Sequence, residues 1–229
     1  MIRFDIISAN VNILNSSLTH GLVSRTIAKG LIEIKVHDLR NFTNDKHRQI
    51  DDLPYGGGSG MVLKPEPFFR CIELLKSERI YDDIIHLSPQ GELFNQKTAN
   101  SLSLGVNYIL LCGHYKGIDQ RVIDTFVTKE ISIGEFVLSC GDIAALVVID
   151  AIARLIPGAL GDSESAITDS FQEDNKFDHP QYTRPETYNG LSVPEVLLSG
   201  NHKLIEEWRT SQGTEKFKKI NSITDNKEK

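Results

Sequence analysis

The sequence lacks any uninterrupted apolar run of the ~18 residues that a membrane-spanning helix needs. Its longest candidate, IAALVVIDAIARLI (143–156), is broken by Asp150 and Arg154, so no membrane partner is expected. The N-terminus, MIRFDIISAN, has no basic region followed by a cleavable apolar core, and no signal peptide is read. Cysteine is scarce. Cys71, Cys112 and Cys140 are odd in number and too scattered for a metal site or a disulfide framework. They read as reduced thiols of a cytoplasmic protein, with no metal bound. Positive charge is also in short supply. A net charge of −6 argues against bulk electrostatic binding to nucleic acid, and DNA is not an expected partner. The shortage is uneven: residues 179–229 carry eight Lys/Arg against seven Asp/Glu, whereas 162–178 hold six acids and one lysine. Any nucleic-acid contact must therefore be local and shape-dependent.

What is present suits an ordinary globular chain. With 229 residues, 40% of them hydrophobic, it fits one large domain, or a core domain with a small appendage, able to bury a core without covalent staples. Segments 3–9, 31–39, 82–89, 107–113 and 126–134 are apolar or alternating and β-branched, as strands are. Helical spacing is found at 20–30, 65–78, 96–104 and 117–126, the second opening on prolines at a helix entry. Strands alternating with helices predict βαβ units and an α/β fold whose parallel sheet is covered on both faces. Segment 41–52 is polar and expected to be mobile. The helix over 142–156 is apolar nearly all round, so it belongs in a core or an interface, and Pro157-Gly158 stops it. Acidic, aperiodic 161–178 reads as a flexible linker between a domain at 1–160 and a small helical domain at 179–229 built of short helices, the first capped by Asn201.

The stretch DDLPYGGGSGMV (51–62) suggests a phosphate cradle, but a Walker loop needs a lysine and a hydroxyl residue directly after its last glycine. Here Gly60 is followed by Met61 and Val62. No strand feeds the glycines and no helix opens on them, so a dinucleotide fingerprint fails as well. LSPQGE (87–92), LCGHYKGIDQRV (111–122) and SIGEFVLSCGD (132–142) are three strand ends with turns, where ligands of α/β sheets gather. Three such loops can cup a small molecule with backbone groups; ordinary turns explain them equally. Asp150 and Arg154 lie one turn apart, either as an i,i+4 ion pair or with the guanidinium facing a site across an interface. His114 and Lys116 are either phosphate ligands or surface residues.

Together, DDLPYGGGSGMV, LSPQG, GHYKGIDQR, SIGEFVLSCGD, TDSF, HPQYTRPE and VLLSGNHKLIEEWR, in this order and spacing, closely resemble the bacterial tRNA (guanine-N1)-methyltransferases, the TrmD family of the SPOUT superfamily. The resemblance implies a SPOUT-type sheet with a C-terminal trefoil knot, an exception to unknotted connectivity. It implies S-adenosylmethionine as methyl donor, with magnesium left open as an accessory ion. The implied donor site is Leu87, Ser88, Pro89, Gly113, Tyr115, Gly117, Ile133, Gly134, Glu135, Phe136, Val137, Leu138 and Gly141. Asp169 would be the general base and Arg154 a second active-site residue. Gly58, Ser59, Gly60, His179, Tyr182 and Arg184 would face the tRNA anticodon arm, and the enzyme would be a homodimer. The modified atom would be N1 of guanosine 37.

Elementary chemistry fits that reading. Guanine N1 carries a proton, so a carboxylate that removes it during transfer assists. Charge then spreads to O6, where a fixed guanidinium stabilises it. The chain departs from the family pattern at His114 and Lys116 (GHYKGID where GRYEGID is usual), at Cys140 (SCGD for SGGE) and at Thr168, where a glutamate usually stands. A homologue that binds RNA without catalysis is the alternative reading.

Overall fold

The chain divides into two units, Met1–Gly161 and Asp162–Lys229. The computed structural model describes residues 1–160 and 177–225. The expected linker lies almost wholly outside the described residues, and so does Asp169.

The first unit is built on five parallel strands in the order β2-β1-β6-β5-β7. They are β1 (Ile2–Ser8), β2 (Ile32–Asp38), β5 (Asp83–Leu93), β6 (Asn107–Cys112) and β7 (Lys129–Ser132). A separate antiparallel pair, β3 (Asp51–Asp52) and β4 (Val62–Leu63), lies between β2 and β5 in the chain. Every residue of β1 is buried, as a strand covered on both faces should be. Its even positions, Ile2, Phe4 and Ile6, enter a core shared with helices α1 (Val11–Ser17), α2 (Gly21–Ala28), α4 (Gln96–Leu102) and α6 (Gly141–Ala153). On the opposite face Ile7 packs with α3 (Pro65–Glu78) and α5 (Gln120–Phe126), through Phe68, Ile72, Leu75 and Val122. The period-2 alternation of a strand thus divides the core into two layers.

The same alternation turns Asp5 inward, where it is fully buried. It accepts hydrogen bonds from Arg3 Nε at 2.7 Å, Arg3 Nη2 at 2.9 Å, His37 Nε2 at 2.7 Å and Tyr81 Oη at 2.8 Å. Burial alone would raise its pKa. The bonds from His37, Arg3 and Tyr81 outweigh it and hold the carboxyl well below the usual carboxylate range.

Several sequence expectations need correction. Helix α1 was not anticipated, because Asn and Ser dominate it and only Leu14 reaches the core. The segment 41–52 is not a free polar loop. A 3-10 turn, Leu39–Phe42, opens it, and Asp45 then accepts the backbone N–H of His47 (2.7 Å) and Gln49 (3.0 Å). Helix α6 buries one side in the core, and within the single chain Ile143 and Val147 are 41% and 44% exposed, with Asp150 and Arg154 continuing the same stripe. The core alternative therefore holds for one face only, and the interface alternative concerns the other. Its core face is fixed at the start by Ser8, whose hydroxyl donates to buried Asp142 at 2.5 Å.

In the second unit the expected short helices are a hairpin, Thr187–Tyr188 with Leu191–Ser192, a single turn Glu195–Leu198, and one long helix His202–Asp225. The long helix runs through Gly213 at the modest cost of a glycine in a helix interior. Gly213 is buried, and its carbonyl accepts the Phe177 N–H at 3.4 Å. No described helix is long and apolar enough to cross a membrane.

Candidate functional site

Because β6, β5 and β7 are neighbours, the segments at their carboxyl ends converge on one edge of the sheet. The first of them corrects an expectation. LSPQGE is not a turn: β5 continues to Leu93, and its pairing with β7 slips between Leu87 and Glu92, both of which face Ile131. Residues 88–91 form the resulting bulge, which suits Pro89, a residue with no N–H for a ladder. Gly91, absent from the sequence-derived site, is the residue that permits it. A Cβ there would stand 2.5 Å from the Glu130 carbonyl carbon and from Ile131 N. Leu87 is buried, Ser88 half-buried and Pro89 exposed.

The second and third loops are joined by backbone. Gly141 N–H donates to Gly113 O at 2.8 Å, and His114 pairs with Cys140 in an antiparallel bridge. A Cβ on Gly141 would lie 3.0 Å from Cys112 Cα and Gly113 N, so the close approach falls on Gly141 and leaves Cys140 permissible. Cys140 is buried, and desolvation pushes its thiol pKa up. Tyr115, half exposed, adopts a left-handed φ of 58°, supported by its N–H donating to His114 Nδ1 at 2.8 Å. Gly117 opens onto free space. In the third loop Ile133 and Leu138 lean on the core, while Glu135, Phe136 and Val137 face outward. Gly134 lies against the Phe136 ring, 2.2 Å from the position of a Cβ.

His86 sits beneath these loops and was missed, because one histidine inside an apolar strand carries no spacing signal. It is 8% exposed, its Nδ1 lies 3.0 Å from Glu130 Oε2, and its Nε2 faces Gly113. With Nδ1–H donating to the carboxylate, Nε2 is left as an acceptor. Burial lowers the His86 pKa, and Glu130 only partly offsets that.

The glycine-rich stretch is the tip of the β3–β4 hairpin. Gly56, Gly57, Gly58 and Gly60 have φ of 84°, 80°, 110° and 96°, where other residues are strained. The first three have nothing within 4 Å of a Cβ position, so they present bare backbone outward, and Ser59 is exposed with them. The hairpin is tied to the second loop: Leu63 N–H donates to Gly117 O at 3.0 Å, Lys116 N–H to Met61 O at 3.0 Å, and Asp119 N–H to Leu63 O at 3.1 Å. The β4 arm of the hairpin, at Met61 and Leu63, and the 113–119 loop are therefore joined by backbone. Beside Tyr115 opens a polar cleft of about 370 Å³, lined by Asn10, Asn12, Asp38, Arg40 and His114 among others.

Arg154 caps α6, its N–H donating to Asp150 O at 3.2 Å, and is exposed on the uncovered stripe. In the second unit, His179 and Tyr182 both approach Trp208, with ring centroids 6.1 and 6.3 Å away, and Arg184 is exposed nearby in sequence. Trp208 was absent from the sequence-derived site although it is the sole tryptophan.

Comparison with known proteins matches nearly the whole chain to a family. The family model described as tRNA (Guanine-1)-methyltransferase TrmD matches residues 2–222. A tRNA (guanine-N(1)-)-methyltransferase of Christiangramia forsetii is 55% identical over 218 residues, covering 95% of this chain and 96% of its own. Proteins of the same name from Chlorobium chlorochromatii and Bacteroides thetaiotaomicron are 53% and 50% identical, over 94% and 95% of this chain and 93% and 96% of theirs.

Proposed function

The chain belongs to the tRNA (guanine-1)-methyltransferase TrmD family, and from that premise we propose that it transfers a methyl group from S-adenosylmethionine to N1 of guanosine 37 of tRNA, in the cytoplasm. The observation that carries the reading is the convergence of the 88–91, 113–117 and 133–141 segments on one sheet edge, backbone-bonded to the glycine hairpin.

The residues present suit the donor. Leu87, Ile133 and Leu138 supply apolar walls, and the glycines at 113, 117, 134 and 141 let the loop backbones come close without side chains of their own, a combination that suits a nucleoside. Ser88, Pro89, Tyr115, Glu135, Phe136 and Val137 complete the rim. When bound, the donor supplies an electrophilic methyl group carried on sulfur. The threading of these segments into a knot belongs to the same reading.

The remaining chemistry falls to the protein. Asp169 removes the N1 proton, which makes the lone pair available to the methyl group. Arg154 stabilises the charge that spreads to O6 as the proton leaves. Gly58, Ser59 and Gly60 admit the splayed-out base, since the bare backbone at Gly58 beside the small Ser59 side chain lets a nucleotide come close. His179, Tyr182 and Arg184, with Trp208, offer rings and a cation to unpaired anticodon-loop bases. The exposed apolar stripe of α6, Ile143 and Val147, supports a homodimer in which a second copy covers it.

The test is methyl transfer from labelled donor to a transcript with G37, beside one with A37. Label is expected on G37 alone, and equal labelling of both would refute the base-specific reading. Asp169→Ala is expected to abolish transfer while leaving donor binding, measured by calorimetry, nearly intact.

A further inference from the structure

Lys116 stands where the hairpin and the 113–119 loop meet. Its backbone N–H is committed to Met61 O, which fixes the residue's position. Its side chain then runs along the hairpin: Cγ, Cε and Cδ lie 2.9, 3.2 and 3.6 Å from the point where a Cβ on Gly60 would be. The aliphatic stem therefore occupies the space that the missing Gly60 side chain leaves, and the ammonium is one bond beyond Cε. Lys116 is exposed, and no carboxylate among the described residues pairs with it. It is an uncompensated cation in a chain of net charge −6, held beside outward-facing glycine backbone.

An ordinary surface lysine waves freely, because pinning its stem costs rotamer entropy. Here the stem is laid on backbone that only glycine leaves open, so the charge is delivered to one place. We propose that Lys116 is a tRNA-phosphate ligand, pairing with the backbone of the nucleotide admitted over residues 56–60. The inference rests on the proposed tRNA methyl transfer. It adds a specific division of labour: the glycine backbone accepts the nucleotide's approach, and Lys116 neutralises the phosphate that the approach brings close to an acidic protein.

Counterion release supplies the experiment. Each phosphate neutralised adds about 0.7–0.9 to the slope of log affinity against log salt. Binding of an anticodon stem-loop to wild type, Lys116→Gln and Lys116→Arg is measured from 50 to 200 mM salt. Lys116→Gln should bind more weakly at low salt, and its disadvantage should narrow about threefold across that range. Lys116→Arg should keep the wild-type slope. Because the residue is exposed, loss of folding is not expected, and donor binding without RNA checks it. An unchanged slope in Lys116→Gln overturns the proposal. A changed donor affinity with an unchanged tRNA slope also overturns it, and assigns the lysine to the donor instead. If wild type binds no stem-loop and methylates no tRNA, the parent reading fails rather than this one.

Discussion

Gly91→Ala is a severe test of the site's construction, because it adds a single carbon and no backbone penalty from positive φ. The added Cβ would lie 2.5 Å from the Glu130 carbonyl carbon and Ile131 N, and 2.7 Å from Glu130 O. All three are backbone atoms of β7 or its approach, so no side chain can swing away. Restoring ordinary contact of ~3.5 Å between carbons means parting β5 from β7 by about 1 Å. That separation takes the ladder beyond the bulge, Glu92↔Ile131 and Leu93↔Ser132, out of hydrogen-bonding range, together with Phe94 N–H to Ser132 O at 2.8 Å. Two or three backbone bonds at about 1 kcal/mol each, with some overpacking strain, give a loss of roughly 2–4 kcal/mol. For a unit of this size that is a fall in Tm of roughly 5–15 °C. Urea unfolding followed by circular dichroism measures it, and donor titration should show weaker binding because residues 88–90 ride on the same bulge. A midpoint within 0.3 kcal/mol of wild type, on the scale of an ordinary surface substitution, would refute the argument. It would mean that β7 yields without loss.

Two further outcomes are expected. His86 has a pKa lowered by burial, so the folded protein resists protonation while the unfolded chain takes up a proton near pH 6.5. Stability should therefore fall as pH drops below about 6.5, and His86→Gln should flatten the stability–pH curve below that point; parallel curves would remove His86 as the cause. Trp208 is the sole tryptophan and sits beside His179 and Tyr182. Its fluorescence should be quenched by an anticodon stem-loop and not by an acceptor-stem helix, and equal responses would exclude base stacking there.

Much of the frame was legible because it rests on periodicity. The spacing of apolar residues and the entry prolines bound α3 at Pro65–Glu78, the range it occupies. The strand-end glycines were legible for the same reason, since a parallel sheet leaves few places for them. What escaped the sequence depends on contact between distant residues. Pro-Gln-Gly has the chemistry of a turn, and only the presence of β7 beside it makes a bulge of it. Asp5 reads as the polar member of an alternating strand until His37 and Tyr81 arrive to bond it. Trp208 and His86 had no motif to announce them. Asp169 was named from resemblance and lies outside the described residues.

The hydrogen bond from Ser8 to Asp142 spans 134 positions of chain. On a ribosome adding about 5–20 residues per second, that interval is roughly 7–27 s. Over most of it β1 lacks β6, its partner on the side away from β2, which is complete only at Cys112. The helix α6, which helps to seal Ile2, Phe4 and Ile6, begins only at Gly141. A strand buried at all seven positions in the finished protein thus emerges well before some of the elements that cover it. Arg3 and Asp5 put charge into that strand, so the pair buried in the mature core also interrupts what would otherwise be an apolar edge on the growing chain.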